Sequence, residues 1–192
     1  MKIVAIILFV LNFSLLPKAF VDTKNYKKIN ECLVDLALKE FDNLDKIKEK
    51  SVIEDYLQAY ALVSLGLNVF RTRNIEDGLD YIVRHAVEFR AKNGPYVGII
   101  KKEKAGFKFL HHGDSNIQGK HSRGVHSQHK SNSYKSIDTE SLLKEIFKDL
   151  ESKRCTIKEH SWLDDKHKSH VKKRTFFVKL SKDVILGSGF II

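Results

Sequence analysis

The sequence predicts an α+β domain built on one small antiparallel sheet, and three observations carry that prediction. Through the first half of the chain apolar residues recur at three- and four-residue steps, the period of a helix with one buried face. From Tyr96 onward that period gives way to short runs rich in aromatic and β-branched residues, the composition of strands. The connections between the last three runs are too short for crossover helices, so those strands must lie antiparallel. The expected architecture is a five-stranded antiparallel sheet with a long N-terminal helix and further helices on one face, the other face being left to a ligand.

The elements follow in order. Ile29, Leu33, Leu36, Phe41, Leu44 and Ile47, then Val52, Ile53, Tyr56, Leu57 and Tyr60, mark amphipathic helix from Asn25 to about Leu67, with a second helix starting near Ser51. Ile75, Leu79, Ile82, Val83, Ala86 and Phe89 repeat the spacing. Asn93-Gly94-Pro95 stops that helix, because a residue tolerant of positive φ is followed by one without an N–H. Tyr96–Ile100 and Phe107–Leu110 flank a charged turn and read as a hairpin. Gly113 to Lys135 holds Ser, His, Lys and Gly with no apolar period, which predicts a long mobile loop. Asp138 is set to cap a helix with Leu142, Leu143, Ile146, Phe147 and Leu150 on one face. Cys155–Trp162, Thr175–Leu180 and Val184–Ile192 then close the chain as a meander.

Composition bounds what this fold can be. At 192 residues and 42% hydrophobic content the chain supports one domain with a substantial core, and 12 Phe with few Gly or Pro excludes a disordered chain. Met1 and Lys2 precede an apolar run, Ile3 to Leu16, followed by Pro17-Lys18-Ala19. That pattern predicts a secretory signal peptide over residues 1–19, with an uncleaved N-terminal anchor as the alternative. No later segment is as apolar, which excludes a multi-span membrane protein. Residues 20–74 then form an N-terminal helical segment and 75–192 the sheet domain, in a periplasmic or secreted setting. The net charge of +10 points to an anionic partner without naming it. Cys32 and Cys155 match no redox or zinc motif; they either bridge or sit as small buried residues.

The second half resembles the single Cache domain, the extracytoplasmic PAS-like sensor module. One block is Tyr96-Val-Gly-Ile-Ile, then Phe109-Leu-His-His112 and Gly119-Lys120; the other is Trp162, Lys172-Lys173-Arg174, Phe176-Phe177-Val178-Lys179 and Asp183-Val-Ile-Leu-Gly187-Ser188-Gly189-Phe190. The order of the blocks is similar to the family's over roughly residues 75 to 192, with the N-terminal helix as the family's leading helix. Gly113 stands where the family's usual proline would be, and Ile191 replaces a usual tyrosine. The resemblance implies a non-catalytic ligand-binding domain for a small anionic metabolite, a carboxylate in particular, with a receptor or envelope protein as a further partner.

On that alignment Lys173 or Arg174 is placed to hold an anionic group, Arg through a bidentate fork and Lys as a point charge. Tyr96 and Trp162 supply pocket walls. Nine histidines are present, but His121, His126 and His129, or His167 and His170, lack acidic or thiolate ligands at matching intervals, so no metal and no cofactor is expected. No nucleophile with a local base appears, and Asp164-Asp165 reads as a turn, so no enzyme is expected. The rival reading is a basic secreted protein that binds nucleic acid or an anionic surface, because basic and aromatic residues alternate in Lys172 to Lys179. Export is testable by intact-mass measurement of the protein from its native envelope. The expected mass lacks about 19 residues, whereas a full-length mass in the soluble cytoplasmic fraction would refute export.

Overall fold

The computed structural model describes residues 20–44, 50–90, 94–113, 117–122, 139–164 and 169–192, with backbone only for 162–164 and 169–170. The signal-peptide expectation and most of the 113–135 loop lie outside the described residues. Two long helices open the fold, α1 (Thr23–Leu44) and α2 (Lys50–Thr72), followed by α3 (Ile75–Arg84). The hairpin β1 (Val97–Glu103) and β2 (Gly106–His111) precedes α4 (Thr139–Ser152), and β3 (Cys155–Asp164), β4 (Ser169–Lys179) and β5 (Val184–Ile191) complete the chain. The five strands form one antiparallel sheet in the order β2-β1-β5-β4-β3. The last strand thus returns to the middle and joins hairpin to meander.

Two boundaries differ from the sequence reading. The third helix stops at Arg84 rather than Phe89. Its start is firm, since the Asn74 side chain accepts the Asp77 N–H at 2.9 Å, but His85 falls outside helical geometry and Phe89 is buried from the following turn instead. The fourth strand begins at Ser169, because Ser169 to Arg174 pair with β3 although this run, polar except for Val171, carries no alternating strand pattern.

Both faces of the sheet are apolar, and that decides the layers. Val97, Ile99, Phe176, Val178, Leu186 and Phe190 meet Leu33, Tyr56, Tyr60, Leu67 and Phe70 of α1 and α2 in the larger core. Ile100, Phe107, Phe109, Phe177 and Ile185 point the other way and are covered by Leu143, Ile146, Phe147 and Leu150 of α4. The α+β class and the five antiparallel strands are as the sequence predicts. The expectation of all helices on one face is corrected: five large apolar side chains on the second face need a cover, and α4 provides it.

The leading helix is fastened to the sheet in two further ways. Cys32 of α1 and Cys155 at the start of β3 form a disulfide, their Cα atoms 6.0 Å apart, closing a loop across 123 positions. Eight residues on, buried Glu40 pairs with Arg174 of β4, which also engages Glu159 of β3 at 3.1 Å. A long covalent loop restricts the unfolded chain most, so Cys32→Ser with Cys155→Ser should cost about 2–5 kcal/mol. Denaturant unfolding of the double variant, beside the parent with and without reductant, checks this; an unchanged midpoint would show that the tie carries no stability.

Candidate functional site

The alternation of β4 sorts its residues between the two faces. Arg174, Phe176 and Val178 turn to α1 and α2, while Lys173, Thr175 and Phe177 turn to the side covered by α4. Their partners on β5 along that side are Gly187 and Gly189, and across from Gly187 on β1 is Gly98. Three positions without side chains leave a hollow that α4 does not fill. The resulting cavity, about 70 Å³, lies between the sheet and the N-terminal half of α4. Leu142, Leu143 and Ile146 roof it, Ile100, Phe109 and Phe177 form its apolar wall, and Tyr96, His112, His160, Lys173 and Thr175 bring polar groups to it. An enclosed apolar cavity of about 150 Å³ holds benzene, so the space here suits a small group.

Two glycines are required by this close approach. A Cβ on Gly189 would stand 2.6 Å from Lys173 Cε and 2.3 Å from Thr175 Oγ1; one on Gly187 would stand 2.7 Å from the Phe177 ring and 2.8 Å from the Phe176 carbonyl oxygen. The hollow therefore persists only because the β5 sequence Gly187-Ser188-Gly189 keeps that face bare.

The polar groups are ordered by one another. The Lys173 ammonium lies 4.6 Å from the centroid of the Tyr96 ring, a cation–π arrangement. Burial pushes its pKa down to about 8. The Tyr96 hydroxyl is hydrogen-bonded to His112 Nε2 at 2.8 Å, and the His112 ring stands edge-on to both Tyr96 and Phe109. His112 reaches this side because β2 carries an extra residue: Ile99 pairs with His111 but Ile100 with Phe109. His160 Nε2 meets Thr175 Oγ1 at 2.9 Å. Burial, and then the neighbouring Lys173 charge, push the His160 pKa down to about 4, so its ring is neutral near pH 7. Lys173 is the one Lys or Arg side chain around the cavity among the described residues.

Of the four residues singled out in the sequence, the structure brings Tyr96 and Lys173 together. Arg174 lies on the opposite face, held by Glu40 and Glu159, and does not line the cavity. The backbone of Trp162 pairs with Val171, and its side chain lies outside the described residues. His112, His160, Thr175 and the α4 residues were missed as site residues. His112 was visible only as part of a motif, and the isolated His160 gave no signal. Among the described residues no group of three or more His, Cys, Asp or Glu is placed to hold a metal, and no helix is long and apolar enough to cross a membrane.

A five-stranded antiparallel sheet between two helical layers, with a small cavity on one sheet face, defines a PAS-like α+β fold. More narrowly, the fold is that of a single Cache domain. Two solved structures match the chain with a TM-score of 0.50. One is the periplasmic sensor domain of a chemotaxis protein, 14% identical, covering 78% of this chain and 97% of that one. The other is a Cache chemosensory domain whose structure describes carboxylic acid recognition, 15% identical, covering 79% of this chain and 97% of that one. No protein-family model and no curated protein matches the sequence.

The bare strand is open to test without a ligand. Gly189→Ala should destabilise the domain by about 1–3 kcal/mol, because the new methyl must displace the Lys173 stem and crowds the Arg174 carbonyl. Denaturant midpoints measure this. A neutral substitution would mean that β5 shifts freely and that the hollow does not depend on glycine.

Proposed function

We propose that the protein is a non-catalytic, extracytoplasmic sensor-type domain whose cavity binds a small carboxylate, with Lys173 holding the carboxyl group. The observation that carries this reading is that the Lys173 ammonium and the Tyr96 ring meet at a small, mostly apolar cavity. A carboxylate can be held there by a charge-assisted bond while its apolar part lies against Leu142, Leu143 and Ile146. The roof of Leu142, Leu143 and Ile146 suits a short aliphatic chain. Tyr96, oriented by His112, supplies a wall and a hydroxyl; Thr175, backed by His160, supplies a second. The likeness to a Cache domain described as recognising a carboxylic acid supports the same chemistry. The Cys32–Cys155 bridge supports an oxidising compartment outside the cytoplasm. A receptor or envelope protein that reads the occupied state completes the proposal.

Arg174 has a different part. Its ion pairs with Glu40 and Glu159 join β4 to α1 and β3, so it fixes the strand on which Lys173 stands.

Short monocarboxylates are the probes to titrate by calorimetry against the parent, Lys173→Ala and Arg174→Ala. A charge-assisted bond contributes roughly 1.5–3 kcal/mol, so Lys173→Ala should weaken binding about ten- to a hundredfold. Arg174→Ala should lower the melting temperature more than the affinity. The pH dependence has a definite sign. Unfolded, the Lys173 ammonium titrates near 10.5 and folded near 8, so between those values the unfolded chain holds more protons and this group's contribution makes stability rise with pH. Carboxylate affinity should instead fall above about pH 8, with proton uptake on binding near that pH. Undiminished affinity in Lys173→Ala would sink the anchor, and absence of binding by any short acid would sink the carboxylate reading.

A further inference from the structure

The end of the sheet remote from the cavity is ringed by turns that carry cations. The β1–β2 turn region presents Lys102 and Lys104, the α4–β3 turn Lys153 and Arg154, and the β4–β5 turn Lys182, all exposed. These turns are joined to one another: the Lys102 N–H donates to the Asp183 carbonyl at 2.7 Å, and the Lys179 N–H to the Arg154 carbonyl at 3.1 Å. Five cations scattered in sequence therefore share one end of the domain. Among the described residues none of the five forms a close ion pair with a carboxylate; Lys153 feels the charge of Asp149, and exposed Glu151 and Asp183 share this end, so the cations are in excess there rather than alone. Glu103, at the same end, is already engaged by Lys101 at 3.6 Å and His121 at 3.8 Å.

The N-terminal end of α1 lies there too. Cys32 is bonded to the first residue of β3, and Glu40 reaches Arg174 further along, so α1 climbs from the cationic end toward the cavity end. Thr23, nine residues before Cys32, lies about 13 Å further toward the cationic end at the rise of an α-helix. The Phe20 and Val21 N–H groups are tied to the carbonyls of Arg73 and Phe70, at the same end of α2. The sequence leading into Phe20 is the apolar run Ile3 to Leu16 with Lys2 and Lys18 beside it. Phe20, the first described residue, and the five cations thus share one end of the domain.

We propose that this end docks on the surface of an anionic phospholipid bilayer, with Lys102, Lys104, Lys153, Arg154 and Lys182 contacting headgroups and the cavity held away from the membrane. A planar anionic surface fits better than a nucleic acid, because the aromatic residues nearest these cations, Phe107 and Phe147, are buried and offer no stacking platform. The proposal is independent of what the cavity binds.

Vesicle co-flotation of the full chain tests it, comparing phosphatidylcholine vesicles with vesicles containing about one-third phosphatidylglycerol. The apolar N-terminus acts on both compositions, so the ratio between them isolates the charge effect. The expected ratio is at least tenfold at low salt and falls steeply as salt rises. Substituting Lys104, Lys153, Arg154 and Lys182 together by Gln should abolish the preference; Lys102 is left in place because it lies over the Phe147 ring. A charge-matched control replaces exposed Lys39, Lys50, Lys144 and Lys172 by Gln and should retain it, with melting curves confirming that both variants fold. Equal binding to the two compositions, equal losses in the two variants, or tighter binding to an oligonucleotide at the same salt would each overturn the proposal.

Discussion

The two-residue period of β4 is the constraint on which the rest of the molecule depends. A pleated strand sends neighbouring side chains to opposite faces, so two adjacent cations are given opposite surroundings by geometry alone. Arg174 is carried to the helical side, where Glu40 and Glu159 hold it, and Lys173 to the cavity side, where it meets the face of Tyr96. A slip of one residue would exchange them, and would also carry Phe176 to the side of α4 while turning Thr175 toward α1 and α2. The larger core makes such a slip costly, because Phe176 touches Tyr56, Tyr60 and Phe190. The position of the cavity cation is therefore fixed chiefly by packing on the far side of the sheet.

The cavity itself comes from a shortage of side chains rather than from a surplus of function. The face that α4 covers has large apolar residues toward one end, Phe107, Phe177 and Ile185, and glycine toward the other, Gly98, Gly187 and Gly189. The helix seats itself on the bulky end with Phe147 against Phe107, ring centroids 5.2 Å apart, and bridges the bare end with Leu142 and Leu143. Close packing is relaxed only where β5 has nothing to offer.

Much of the fold was legible in the sequence because the signals were local. The helical period of α1 and α2, the hairpin, and the closing meander each follow from residues a few positions apart, and Tyr96 and Lys173 were reachable through the family-like blocks. What was not legible depended on contacts distant in sequence. Period alone does not say which face of the sheet α4 covers, since Leu143, Ile146 and Phe147 would suit either. His160 stands in an otherwise ordinary strand, and only pairing with β4 brings it to Thr175 and Lys173. Lys173 and Arg174 were indistinguishable as sequence because their difference is one of direction. The pairing of Cys32 with Cys155 likewise required α1 to be laid against β3.

That bridge also determines how the domain would bear a pull. A force applied at the N-terminal turns of α1 travels along helical hydrogen bonds only as far as Cys32, then crosses into β3 through a covalent link instead of through side-chain packing. The chain between Cys32 and Cys155, which holds α2, α3, the hairpin and α4, is shunted and cannot be drawn out. The strain is delivered to the first residue of an edge strand, at the end of the sheet remote from Lys173.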